Sequence, residues 1–262
     1  MAQKLDRKEL KKPDEFQIIA GRVMGWVAAH QKPVVVGLVV AAVLVLGAWA
    51  ASSWSSSRES KAGGELATAL ELQSRPIASE VQPPQPGIET FPSKEERQKA
   101  ALAALEKVRA GYPRSTAADT AQAEIGFLEL KDGDAAGAQA ALQEFLKSAS
   151  KDHPLRAFAQ ESLGYALEAQ GKLDEARSAF AALAHEGAPD RAAFHEGRID
   201  LLQGKPEAKQ KLEQVAKDYA KEPVAMEANM RLELSSLPPP GAPQSPAPRT
   251  GKPAAAPTKG KK

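Results

Sequence analysis

Apolar and polar positions change regime several times along the chain. Residues 33–57 carry no charge, and Val34 to Ala51 form an apolar run of 18 residues. A helix rises about 1.5 Å per residue, so this run is long enough to cross hydrocarbon. Before it, Phe16, Ile19, Ala20, Val23, Met24 and Val27 recur at helical spacing, with Gln17 and Arg22 on the other side. This predicts a helix over 15–32, either an amphipathic helix lying in the bilayer interface or an extended first helix. Trp49 and Trp54 lie at one end of the run and Trp26 before the other, as interfacial anchors would.

Beyond residue 55 the apolar period is helical. Leu66, Ala69 and Leu70 predict a helix over 58–73 continuing from the membrane segment, and Leu102, Leu105 and Val108 another over 94–110. Ser93 with Glu96 forms a capping box at the start of the second. A Pro-rich loop, 75–92, joins them. Residues 112–236 read as helical hairpins. The last stretch, 237–262, is rich in Pro, Ala and Lys, with five positive charges and no acid, the composition of a disordered tail.

The hairpins repeat. Gly164, Gly171, Ala176 and Phe180 have counterparts 38 residues earlier at Gly126, Gly133, Ala138 and Leu142. Gly197 and Gly204 follow Gly164 and Gly171 by 33 residues, after which the match slips by one to Ala208 and Leu212. Pro113, Pro154, Pro189 and Pro223 punctuate the units. In this pattern the first glycine lets two helices approach closely and the second occupies the turn, where positive φ is cheap. The alanine is a contact position on the second helix, and the Phe or Leu four residues on fills the space between helices. Proline can begin a helix but not continue one.

Leu163, Gly164, Ala176, Phe180 and Pro189 in the central unit resemble the tetratricopeptide repeat. Gln160 and Leu167 replace the Trp and Tyr often found in that family. With the apolar run read as a single N-terminal transmembrane helix, the resemblance implies an all-α chain in which that helix is followed by a tetratricopeptide-like α-solenoid of helical hairpins. The expected organisation is a tail with an interfacial helix (1–32), a membrane helix (33–54), a helical linker or capping hairpin (55–111), the repeats (112–236) and the terminal tail (237–262). In order of elements the chain also resembles the ancillary subunit family of the bacterial SecYEG translocon. That likeness implies a protein of the cytoplasmic membrane with periplasmic repeats, whose partners are translocon subunits, exported chains or periplasmic chaperones. An envelope assembly or cell-division coordinator using the same repeats is the alternative.

Charge sets the orientation. The first 32 residues hold seven Lys or Arg, and residues 52–83 hold three. The positive-inside rule then puts the N-terminus in the cytoplasm and the repeats in the periplasm. Ala48-Trp49-Ala50 has the form of a signal-peptidase site, but the segment before it exceeds the roughly 15–30 residues of ordinary signal peptides, which favours an uncleaved anchor.

Composition excludes several chemistries. There is no cysteine, and the net charge is +2, so thiolate chemistry is excluded and nothing draws nucleic acid. His185 and His195 lie ten apart with acids nearby, but not at a metal-ligand spacing. No nucleotide or nucleophile motif is present. The expectation is no enzyme, no metal and no cofactor. Function then falls to a surface. The repeat register nominates Phe127, Leu130, Phe158, Glu161, Tyr165, Glu168, His195 and Arg198 as lining a peptide groove. The aromatic members serve equally well as core between repeats.

Overall fold

The computed structural model describes residues 15–81, 83 and 86–236. The expected tails over 1–14 and 237–262, and the side chains of Phe16 and Gln17, lie outside the described residues. Among the described residues the architecture is all-α, with one isolated bridge between Ile77 and Phe91. Two compact units divide at Ile125 and Gly126.

The first unit holds α1 (Glu15–Ala29), α2 (Gln31–Ser74), α3 (Lys94–Gly111) and the start of α4 (Thr116–Asp132). α1 and α2 are separate helices, broken at His30, whose backbone leaves the helical region at φ −120° and ψ 35°. The His30 ring stacks on Trp26 at 4.8 Å, and its Nδ1 donates to the Trp26 carbonyl at 3.0 Å. α2 has 44 residues, about 66 Å of helix. It is long and apolar enough to cross a membrane, and its apolar window is uncovered by the rest of the protein.

The far half of α2 belongs to the unit's core. Ala62 and Ala69 are fully buried, and α2 packs along α3, which contributes the buried Ala101, Leu105 and Val108. Small side chains on α2 let the two backbones approach. Ser93 caps α3 by accepting from the Glu96 N–H at 3.2 Å. α3 runs antiparallel to α2: Arg97 near its start donates to the Arg75 carbonyl, while its last residue, Gly111, accepts from Arg58. α4 then runs parallel to α2, because Ala117 donates to Glu59 and Glu124 accepts from Gln73.

The second unit is a helical-repeat solenoid. It continues from the end of α4 through α5 (Ala135–Ser148), α6 (Arg156–Ala169), α7 (Leu173–Ala181), a 3₁₀ turn (Ala182–Glu186), α8 (Pro189–Leu202), α9 (Ala208–Asp218) and α10 (Pro223–Ser236). From α5 onward each helix packs on its neighbour, and α10 also reaches α8.

Two glycine roles build each hairpin. Gly133, Gly171 and Gly204 close the turns at φ +90°, +75° and +68°. Gly126, Gly164 and Gly197 face the second helix of their own hairpin. A methyl group at Gly164 would overlap the Phe180 ring, and one at Gly126 would stand 2.6 Å from Leu142. Phe180, Leu142 and Leu212 are fully buried, each filling the same place in its hairpin. Gln160 takes a different use from the aromatic ring common in the repeat family: its buried Nε2 donates to the Ala179 carbonyl at 2.8 Å, tying α6 to the end of α7.

Candidate functional site

One face of α6 carries Phe158, Glu161, Ser162, Tyr165 and Glu168, spaced by three or four residues so that they share a side of the helix. α8 lies opposite with Arg191, His195 and Arg198. Their charges interlock. Glu168 accepts two bonds from Arg198, at 2.7 and 2.6 Å. Glu161 accepts from Arg191 Nε at 2.7 Å and from His195 Nε2 at 2.7 Å. A carboxylate can only accept, so His195 carries its proton on Nε2. Its bare Nδ1 accepts from Arg198 Nε at 3.3 Å.

The imidazole is enclosed by rings. It stacks on Phe180 at 4.2 Å and meets Tyr165 edge-on at 5.3 Å. Arg198 lies over both Tyr165 and Phe180, at 5.5 and 5.4 Å from the ring centres. Burial holds the His195 pKa below its ordinary value; Glu161 pulls it upward, but Arg198 and Arg191 oppose protonation. Burial also pushes the Glu161 carboxyl up, yet the bonds from His195 and Arg191 outweigh it and leave its pKa lowered.

His195 and Arg198 therefore differ from the groove expectation. The His195 side chain has no solvent exposure, and Arg198 keeps 7%. The α6 carboxylates draw both inward as cross-helix ties. Glu161 and Glu168 are held in the same ties, at 13% and 23% exposure.

Of the other nominated residues, Phe158 and Tyr165 are exposed and Phe127 and Leu130 are half-buried. Phe127 and Leu130 on α4, with Phe158 on α6, line an apolar depression of about 500 Å³, together with Lys131, Leu155 and Ser162. Phe158 is 64% exposed. A second depression of about 380 Å³ lies between Tyr165, Phe194 and Arg198 on one side and Glu227, Met230, Arg231 and Leu234 of α10 on the other. The α10 contribution was missed from sequence. Its signal is Met226, Met230 and Leu234 at intervals of four, all exposed.

A further ionic cluster is structural. Asp200 has no exposed side-chain surface, yet accepts from Arg177 at 3.0 Å, from Lys205 at 2.7 Å and from Lys211. Burial pushes its carboxyl up, but Lys205, Lys211 and Arg177 outweigh this and hold its pKa at about 2. Among the described residues no group of three or more His, Cys, Asp or Glu side chains could hold a metal ion.

Stacked hairpins with paired glycines give the second unit a helical-repeat architecture similar to that of tetratricopeptide-repeat proteins. No protein-family model and no curated protein matches the chain. Two solved structures of the nearly identical TPR-like repeats of a kinesin light chain-like protein from Podosopora anserina are similar. One shares 19% identity, covers 68% of this chain and 85% of its own, and has a TM-score of 0.49. The other shares 19%, covers 68% and 86%, and has a TM-score of 0.48.

Proposed function

We propose that this protein is a membrane-anchored module that captures an apolar segment of a partner polypeptide. α2 spans the bilayer uncleaved, the N-terminus is cytoplasmic, and the repeats stand in the periplasm. The partner's side chain enters the depression of Phe127, Leu130 and Phe158. The observation that carries this reading is Phe158, a large aromatic side chain 64% exposed beside an apolar cavity. Burying one such ring against a partner is worth about 1.5–3 kcal/mol, and aromatic anchors dominate binding energy at interfaces. Its helix is tied to α8 by the Glu161 and Glu168 ion pairs, so little ordering is needed on binding.

The order of elements supports a place beside the Sec translocon, with exported chains as clients for handover to chaperones. The experiment is site-specific photocrosslinking from position 158 in membranes, followed by identification of the adducts. Translocon subunits and exported chains are the expected products. Adducts confined to division or outer-membrane assembly proteins would replace this reading with the envelope-scaffold one. Crosslinks that persist unchanged when Phe127 and Leu130 are both replaced by Ser would remove the depression from the account.

A further inference from the structure

The first unit carries a cationic cluster where α2 leaves its apolar run. Arg58 lies seven residues beyond Ala51, about 10 Å along the axis. A headgroup layer is roughly 5–8 Å thick, and helix side chains lean toward the helix N-terminus. On α2 that direction is toward the apolar run. Arg58 follows it: its guanidinium carbon stands 5.7 Å from the ring centre of Trp54, one turn closer to that run. Trp54 is itself 68% exposed.

The same guanidinium donates to the Gly111 carbonyl, the last residue of α3, at 3.4 Å. That bond sets the start of the α3–α4 turn, Tyr112 to Ser115, beside Arg58. The turn presents Arg114, exposed and at φ +68°. This backbone conformation suits Gly, Asn or Asp and is costly for a long cationic side chain. Lys61, one turn further along α2, is exposed as well. The nearby carboxylates have partners of their own. Glu59 accepts from the Ala117 N–H, Glu65 holds Tyr112 and Lys107, and Asp119 is half-buried on α4.

We propose that Trp54, Arg58 and Arg114 form a binding site for the phosphate of anionic phospholipid headgroups, which seats the first unit on the membrane surface. A guanidinium matches phosphate through paired N–H donors. An exposed Trp at the end of an apolar run belongs at the same depth, and anionic lipid adds attraction for each basic residue within a Debye length. The site rests on the reading that α2 spans the bilayer.

The test is hydrogen–deuterium exchange of segment 112–116 in the full chain, in nanodiscs of phosphatidylcholine alone and of phosphatidylcholine mixed with phosphatidylglycerol. The expected result is slower exchange in the anionic discs. Arg58→Gln and Arg114→Gln should each weaken that protection about fivefold. Arg114→Gln keeps the Arg58–Gly111 bond, and an unchanged thermal melt separates lost lipid contact from lost fold. Equal exchange in both discs, or protection unaffected by Arg114→Gln, overturns the site. Equal protection by inorganic phosphate in neutral detergent overturns the lipid assignment. Release of the protein from membranes by alkaline carbonate would instead overturn the spanning reading.

Discussion

Glu168 and Arg198 face each other through two parallel charge-assisted bonds while standing 30 residues apart in sequence. Glu161 and Arg191 are paired across the same 30 residues, seven positions earlier on each helix. The two pairs form rungs between α6 and α8 and set their register. Arg198→Ala would leave Glu168 half-buried without its partner and His195 Nδ1 without its donor. The expected loss is about 2–4 kcal/mol in denaturant unfolding. The exchange Glu168→Arg with Arg198→Glu should recover part of it, because the bonds re-form with their polarity reversed.

The close-approach glycines should respond unequally to alanine. At Gly164 the added methyl meets the fully buried Phe180 ring, which is itself stacked on His195. Overpacking of this kind costs about 1–3 kcal/mol, more than the roughly 1 kcal/mol gained in helix propensity. At Gly197 the nearest atom is a Leu212 methyl at 3.0 Å, which needs only a small shift. Gly164→Ala should lower the melting temperature and Gly197→Ala should change it little. The reverse order would refute the role given to Phe180.

His195 ties stability to pH. Its pKa is lowered in the fold, so the unfolded chain binds the extra proton more readily, and stability rises with pH where that difference operates. The contribution is complete above the ordinary value of 6.5 and declines as pH falls below it. His195→Gln can still donate to Glu161 and accept from Arg198, but it does not titrate. Unfolding midpoints measured from pH 8 to pH 5 should slope less in this variant than in the parent.

Asp200 acts at the acid end. Its carboxyl is held at about 2, below the ordinary 3.8, so its stabilisation is present above the ordinary value and is lost as pH falls from there toward 2. The difference corresponds to about 2 kcal/mol. Asp200→Asn leaves Arg177, Lys205 and Lys211 converging on a neutral amide. The variant should be weaker than the parent at pH 7, and the gap should close by pH 2 in acid-unfolding curves.

Much of the fold is legible in the sequence because glycine has few uses inside a helical hairpin. A pair seven apart, one at a contact and one at positive φ, fixes where each helix ends and which face meets the next. Ser93 marks the start of α3 for the same reason: few residues cap well. The ion-pair rungs are less legible. Periodicity places Glu161, Glu168, His195 and Arg198 on facing sides, but does not say whether that face meets water or the next hairpin. The clue was the shared offset of 30 between acids on α6 and arginines on α8. α10 escaped because its hairpin has no glycine pair, and its exposed Met226, Met230 and Leu234 resemble ordinary helix residues until their spacing is plotted.

α2 passes from its apolar run into the core of the first unit with no break after Gln31. Each residue of a helix advances its neighbours by about 100° around the axis. One alanine inserted among Ser55, Ser56 and Ser57 would therefore turn Ala62, Ala69 and everything packed on them by more than a quarter revolution relative to Trp49. Two insertions would point that face nearly backwards, and a third or fourth would bring it close to its starting bearing, raised by about one helical pitch. α2 thus acts as an indexed shaft, and the compass heading of the first unit is written into the number of residues between Ala51 and Arg58.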